Sequence, residues 1–349
     1  MSLTTETERL ELPLDGAFTT SRGASEAVET VIVRLEDDGG RRGVGAAAPS
    51  EYYGESVDSV EAVLPDLLDR ILEIGDPTRQ QTAERAMREQ APDEATARAA
   101  VSVAVHDLAA KQTEEPLYRR LGLDPRYAPT SSYTVSIDSP AGMASAAQTA
   151  AGAGYGILKV KLGTDGDRAR IDAVRKAVPQ ARIRVDANGA WTPAEAIENM
   201  EWLANAGVEF VEQPVPGDDH EGLARVAEEG FLPVAADESC VTAEDVPAVA
   251  DAVDIVVVKL AKCGGIRPAV RQIETAKAHG LDVMIGCMVE SMASLAGACH
   301  LAPLAEYADL DGSLLLADDP YDGVSMPDGR IDLSAVEAGT GVQRAEERT

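Results

Sequence analysis

Lysine is scarce in this chain. Only seven occur in 349 residues, at positions 111, 159, 161, 176, 259, 262 and 277, so most of the 31 basic side chains are arginine. Against them stand 60 acidic residues, giving a formal net charge of −29. A field of that sign repels nucleic acid and anionic membranes and excludes both as expected partners. Aromatic residues are equally sparse, at 4%, so the core must be built from Ala, Val, Leu and Ile; the apolar share of 45% supplies it and excludes global disorder. The four cysteines (Cys240, Cys263, Cys287 and Cys299) form no C-x-x-C pair and read as buried free thiols rather than a disulfide scaffold. Long apolar runs are missing too. The longest charge-free stretch, Ser139 to Leu158, is mostly Ala, Gly and Ser, too weakly apolar for a membrane span. No signal-peptide segment opens the chain, and the expected location is the cytoplasm. Low lysine with abundant Asp and Glu points further to a halophilic interior, where salt screens an acidic surface.

What is present falls into two textures. Residues 5–48 alternate as strands do, over Glu6 to Leu12, Thr30 to Leu35 and Gly43-Val44-Gly45, with Asp37-Asp38-Gly39-Gly40 as a hairpin turn between the last two. From Ser56 to Lys111 the spacing is helical, punctuated at Ala91-Pro92. This predicts an α+β unit over residues 1–125. After Pro129, short β-branched runs alternate with Ala-rich helical segments. The runs are Tyr133 to Ile137, Ile157 to Lys161, Ile183 to Asp186, Glu209 to Glu212, Val234 to Asp237, Ile255 to Lys259, Val283 to Gly286, and a weak one ending near Asp309. Eight such runs predict an α/β fold with a (β/α)₈-type barrel over residues 126–315, and a segment 316–349 returning to the first unit. An open doubly wound sheet is the competing architecture, but no Gly-rich phosphate fingerprint follows the first run.

A strand buried on both faces should be apolar throughout. These runs instead end in Lys159 and Lys161, Asp186 and Asn188, Glu212, Asp237 and Glu238, Lys259, and Glu290, then Asp309 and Asp311. Successive polar ends are one βα unit apart, so they arrive at the same rim, where barrels of this kind carry their active sites. One acid at a strand end is as well explained by a helix cap or a solvated rim charge. Three in register, Asp186, Glu212 and Asp237, repel one another unless a cation joins them, and hard oxygen ligands suit Mg²⁺, with Mn²⁺ as the alternative. No Cys/His cluster favours Zn²⁺. Lys161 precedes this triad by one strand and Lys259 follows it by one. Neighbouring positive charges disfavour lysine protonation, which would let either act as a base.

At this point the chain resembles the muconate-lactonizing subgroup of the enolase superfamily. The resemblance runs through Lys159-Val160-Lys161, Asp186-Ala187-Asn188-Gly189, Glu212-Gln213-Pro214, Asp237-Glu238-Ser239 and Lys259-Leu260-Ala261-Lys262-Cys263-Gly264-Gly265. It implies an enolase-like barrel with a capping domain, a divalent ion on Asp186, Glu212 and Asp237, and Lys161 and Lys259 as the two acid/base lysines, Lys161 on the L side. A divalent ion stabilising an enediolate beside a lysine base is the general arrangement of that superfamily and is taken over from it. Lys159 would orient the substrate carboxylate, Asn188 and Glu238 would support the metal shell, and Lys262 would point elsewhere as a structural group.

The subgroup runs several reactions on one scaffold, so the substrate must come from other residues. Asp309-Leu310-Asp311-Gly312 resembles the D-x-D motif of dipeptide epimerases, whose carboxylates pair with the substrate ammonium; in a chain this acidic it also reads as a plain acidic turn. Thr134 on the first barrel strand joins the expected substrate contacts. Arg22, in an expected mobile loop from Phe18 to Glu26, would meet an anionic side chain of the second residue or stand on the surface. Tyr53 would belong to a second lid loop with Tyr52 and Gly54. The leading expectation is a dipeptide epimerase, an isomerase working by 1,1-proton transfer. Muconate cycloisomerase, N-succinylamino acid racemase and o-succinylbenzoate synthase remain as enzyme alternatives, and an acidic binding protein as the non-enzyme one. The partner is a small carboxylate, and a homo-oligomer is left open.

Overall fold

The computed structural model describes residues 2–345. It begins with a three-stranded antiparallel sheet in the order β1-β2-β3, formed by Leu3–Thr20, Gly23–Asp37 and Arg42–Ala47. Three helices cover one face: α1 (Val57–Ile74), α2 (Gln80–Gln90) and α3 (Ala95–Gln112). Helix α3 is Ala- and Val-rich and buried nearly all round, as expected of a helix that is apolar on every side. It lies directly on β3. A Cβ at Gly43 or Gly45 would come within 2.2 Å of the Ala104 carbonyl oxygen or 2.1 Å of that of Ala100, so this close approach requires glycine.

The first hairpin departs from the sequence expectation. Residues 18–26 were expected as a loop, yet Phe18, Thr19 and Thr20 pair with Ser25, Ala24 and Gly23 around a two-residue turn at Ser21-Arg22. The register slips between Pro13 and Phe18, and the chain there pairs with a distant segment: Leu14 bridges Leu316, and the Ala317 amide donates to the Pro13 carbonyl at 2.9 Å. Strand pairing therefore carries the chain, as a long stiff arm, from the first sheet to the barrel rim.

The second sheet has eight parallel strands in sequential order, β4 (Tyr133–Val135), β5 (Ile157–Lys161), β6 (Arg182–Asp186), β7 (Val208–Glu212), β8 (Val234–Ala236), β9 (Ile255–Val258), β10 (Asp282–Gly286) and β11 (Tyr307–Asp309). The ring closes where Ser131 bridges Ala308 and the Ser132 amide donates to the Ala308 carbonyl at 3.0 Å. Helices clothe the outside. The one at Pro193–Asn205 starts on a capping box, Thr192 to Glu195, with Pro193 at its first position. Two connections are reduced. A single turn, Val246–Val249, stands between β8 and β9, and the last strand is followed only by the 3₁₀ turn Gly312–Leu315.

From there the chain returns to the first sheet. The Leu117 amide donates to the Gly339 carbonyl at 2.8 Å, the Thr340 amide to Asp107 Oδ1 at 2.7 Å, and Arg34 donates to the Tyr321 hydroxyl. Residues 346–349 of the expected returning segment lie outside the described residues. Among the described residues no helix is long and apolar enough to cross a membrane.

Side chains alternate across each barrel strand. Outward residues such as Val160, Val185, Val211 and Val258 join the large core beneath the helices, while Phe210, Ala235, Ile255, Val257 and Met284 form a separate inner cluster. Two positions beyond three of these inner residues stands a polar one: Phe210 then Glu212, Ala235 then Asp237, Val257 then Lys259. The barrel interior is therefore ionic at its upper rim, over a mainly apolar layer into which Arg184 projects from below.

Candidate active site

The ionic layer opens into a cavity of about 540 Å³ between the barrel rim, the β1–β2 tip and the segment Pro49–Tyr53. Lys159, Lys161, Lys259, Asp237, Asp309 and Asp311 line it, as do Thr134, Asn188, Glu238, Arg22 and Tyr53. Asp186 and Glu212 lie beneath its floor, fully buried. Every residue expected at the site from sequence is thus in or directly under one cavity. Strand register accounts for the floor: Lys161 pairs with Asp186 and Asp186 with Glu212, so these three stand side by side at one level.

The acids are met by ammonium groups. Lys161 Nζ lies 2.6 Å from Asp186 Oδ2, while Lys159 Nζ lies 3.1 Å from the same oxygen, 2.8 Å from Glu212 and 2.8 Å from Asp309. Lys259 donates to Asp237 Oδ2 at 2.6 Å. Burial pushes Asp186 and Asp237 up, but the ammoniums of Lys161 and Lys159 on one, and of Lys259 and Lys262 on the other, outweigh it and hold both below the ordinary carboxylate value. Glu212 goes the other way. Burial and the charge of Asp186 raise it despite its contact with Lys159, because that lysine is shared among three acids.

Lys262, expected from sequence to point elsewhere as a structural group, is absent from the cavity lining but reaches a carboxylate of the site from beneath. It is buried and donates to Asp237 Oδ1 at 2.6 Å. The signal was available: three residues after Lys259, on a single helical turn, a side chain returns toward the same strand end. Ser132 was also missed; its hydroxyl donates to Asp309 Oδ1 at 2.6 Å, and nothing in its local sequence marked it. Asp311 accepts the Thr134 amide at 2.5 Å and the Thr134 hydroxyl at 3.2 Å. Burial and the neighbouring Asp309 raise its carboxyl to about 7.

Above the floor, Arg22 on the hairpin turn pairs with buried Glu238, donates to the Asn188 carbonyl at 3.2 Å, and lies 3.9 Å from the centre of the Tyr52 ring. Tyr53 packs edge-on against Tyr52, and burial raises its phenol.

Among the described residues no three acidic, His or Cys side chains already converge as a metal cluster, because lysine heads stand between the carboxylates. The donor chemistry still fits a hard divalent ion: three buried carboxylates, on adjacent strands, each now satisfied by a cation. The signs agree too. Six carboxyl groups (Asp186, Glu212, Asp237, Glu238, Asp309, Asp311) stand among five cationic heads (Lys159, Lys161, Lys259, Lys262, Arg22), and Glu212, Glu238 and Asp311 are raised by burial and by neighbouring acids, as anions crowded without enough countercharge are.

Comparison with known proteins matches residues 2–122 to the mandelate racemase/muconate lactonizing enzyme N-terminal domain and residues 142–348 to the enolase C-terminal domain-like family. The chain belongs to the mandelate racemase/muconate lactonizing enzyme family. Within it, the chain is 34% identical to an L-Ala-D/L-Glu epimerase of Bacteroides thetaiotaomicron over 96% of its own length and 86% of that protein's. It superposes with a TM-score of 0.93, at 32% identity, on a dipeptide epimerase of Enterococcus faecalis complexed with Mg and L-Leu-L-Tyr, covering 99% of this chain and 100% of the other. An N-succinyl Arg/Lys racemase of Bacillus cereus superposes equally well, with a TM-score of 0.93 at 28% identity over 99% and 96% of the two chains. Shape alone therefore does not choose between substrates in this family.

Proposed function

We propose that the chain is a dipeptide epimerase that inverts the α-carbon of the second residue by two-base proton transfer. The observation that carries this reading is the meeting, in one cavity, of Lys161 and Lys259 with the Asp309/Asp311 pair. Lys161 on β5 and Lys259 at the end of β9 flank the three intervening strands that bear the acids, so an α-carbon between them presents one face to each. One lysine removes the proton and the other returns one from the far side. Asp309 and Asp311 give the substrate ammonium an anionic neighbour that an N-acylated or muconate-type substrate would not need. The epimerase names carried by the relatives above support the same choice.

Asp186, Glu212 and Asp237 would hold a divalent ion, Mg²⁺ first and Mn²⁺ as the alternative. When bound, the ion neutralises the substrate carboxylate as the α-carbon loses its proton. Lys159, tied to Glu212 and Asp309, orients that carboxylate, and Asn188 and Glu238 support the ligand loops. Residues 1–125, with the returning segment 316–349, act as the cap over a barrel of residues 126–315, and the contacts of Asp107, Leu117 and Arg34 with that segment favour the division.

The test is proton exchange in D₂O. Free L,L-dipeptides should acquire α-deuterium and invert. Lys161→Ala and Lys259→Ala should each abolish inversion, and each variant should retain exchange with only one antipode. Equal exchange of both antipodes by each variant would refute two-base transfer. Turnover of N-acyl amino acids as readily as free dipeptides would move the racemase reading forward, and absence of any exchange would favour an acidic binding protein.

A further inference from the structure

Lys262 sits on the turn Leu260–Cys263 that follows β9, where it bends back under the strand ends and takes no part in lining the cavity. Its Nζ donates to Asp237 Oδ1 at 2.6 Å and to the backbone carbonyls of Asp237 at 2.6 Å, Val257 at 2.9 Å and Cys240 at 3.1 Å. A buried ammonium costs several kcal/mol of desolvation unless its donors are satisfied, and here every N–H has an acceptor. Three of the four acceptors are main chain, on β9 and on the loop after β8, so the ammonium cannot shift without disturbing both. Lys259 takes the other carboxylate oxygen, Oδ2, at 2.6 Å, and its own head reaches the cavity.

Asp186 shows the same division of labour. Its Oδ1 accepts the Asn188 amide at 2.8 Å, a fixed main-chain donor, and its Oδ2 is left to Lys161 and Lys159. Each aspartate therefore has one oxygen tied to the frame and one facing the cavity lysines. At Asp186 the tie is a backbone amide. At Asp237 a side chain supplies it.

We propose that Lys262 is a positioning residue: it holds Asp237 by one oxygen, so that the other is the single site which Lys259 and a divalent ion exchange between them. The inference rests on the metal reading given above. Asp237 Oδ2 would hold the ion in place of Lys259, whose head would then be free in the cavity, so that metal uptake and the freeing of that lysine would go together. Without Lys262 the carboxylate can turn and offer both oxygens, and Lys259 is no longer displaced in step.

The probe is Mn²⁺. Its dissociation constant, measured by calorimetry on the full chain at fixed ionic strength, should rise about tenfold in Lys262→Gln, the scale on which groups supporting metal ligands usually act. A group acting only by its charge would repel the ion, so its removal would tighten binding; tighter or unchanged binding overturns the proposal. A second measurement does not depend on the variant folding. In a Mn²⁺-soaked crystal of the wild-type chain, the ion should meet only the Asp237 oxygen that Lys262 does not touch. Bidentate ligation, or ligation through the oxygen on Lys262, overturns the assignment while leaving the metal site intact. Failure of the wild-type chain to bind Mn²⁺ at all removes the metal reading and this inference with it.

Discussion

Arg22 and Glu238 form an ion pair that fastens the tip of the first hairpin to the barrel rim, with the arginine about a third exposed and the glutamate buried. The pair joins residues 216 positions apart, and the same tip is held by the Ser21 hydroxyl on the Ala187 carbonyl at 3.3 Å. Arg22 is thus both a fastener and a cavity wall. Its guanidinium lines the cavity while it pairs with Glu238.

The first prediction separates the two roles. Arg22→Met should lower kcat/KM for dipeptides with an acidic second residue by about ten- to hundredfold, the usual loss of one charge-assisted contact of about 1.5–3 kcal/mol. Dipeptides with a neutral second residue should suffer only a severalfold rise in KM. Steady-state kinetics on L-Ala-L-Glu and L-Ala-L-Leu check this; equal losses on both would leave Arg22 as a fastener alone.

The second prediction concerns acid. His300 is buried, its Nδ1 accepts the Tyr118 amide at 3.1 Å and its Nε2 faces the Thr340 carbonyl at 3.2 Å, so it is held as the neutral tautomer. Burial lowers His300 and His106 to about 4. Both titrate near 6.5 when unfolded, so the unfolded chain binds the extra protons first. Stability is full above about 6.5 and falls as the pH drops toward 4, by about 1.4 kcal/mol per pH unit for each histidine. Urea midpoints at pH 7, 6 and 5 should fall accordingly, with a shallower slope in His300→Gln. A flat profile over that range would show that neither imidazole is buried neutral.

The polar ends of the barrel strands were legible because one βα unit separates them, and strand pairing then sets Lys161, Asp186 and Glu212 at one level. Arg184 shows the limit of that reading. It interrupts a strand two residues before Asp186, yet it fills the barrel floor, with Nε donating to Glu209 at 2.8 Å and its guanidinium 5.0 Å from the Tyr307 ring centre. Only the closed ring brings β6 and β11 together, and no local pattern signals that. The hairpin tip was missed for a related reason. The partners of Pro13 and Leu14, Ala317 and Leu316, lie some 300 positions away. The motif sets Lys262 apart from Lys259, which lines the cavity, but does not show that the Lys262 head reaches Asp237 from beneath.

The third prediction follows from the net charge of −29. Self-repulsion among exposed acids decays over a Debye length of about 10 Å at 0.1 M salt and about 3 Å at 1 M. The melting temperature and activity should therefore rise between those two conditions. An unchanged melting temperature would count against adaptation to high salt.

The last prediction concerns the substrate ammonium. Burial pushes Asp309 up, but Lys159, 2.8 Å from its Oδ2, and the Ser132 hydroxyl on its Oδ1 outweigh it and hold the carboxyl below its ordinary value. Among the described residues the Asp311 side chain has only the Thr134 amide and hydroxyl as partners, both neutral donors, and its carboxyl is raised to about 7 by burial and by Asp309. It is the one of the pair whose charge changes near neutrality. The protonated form cannot pair with an ammonium, so the affinity for a free dipeptide should rise as the pH climbs through about 7. An N-acetylated analogue, with no cation at that end, should show no such limb. Asp311→Asn should remove the limb and, with Asp309→Asn, cut kcat/KM for free dipeptides by about ten- to hundredfold, while N-acetylated analogues, poor substrates from the start, change little. Profiles of kcat/KM between pH 6 and 9 for the wild-type chain and both variants decide it. If the limb near 7 persists in Asp311→Asn, the ammonium is read by another group, and the case for a free dipeptide as substrate loses its structural support.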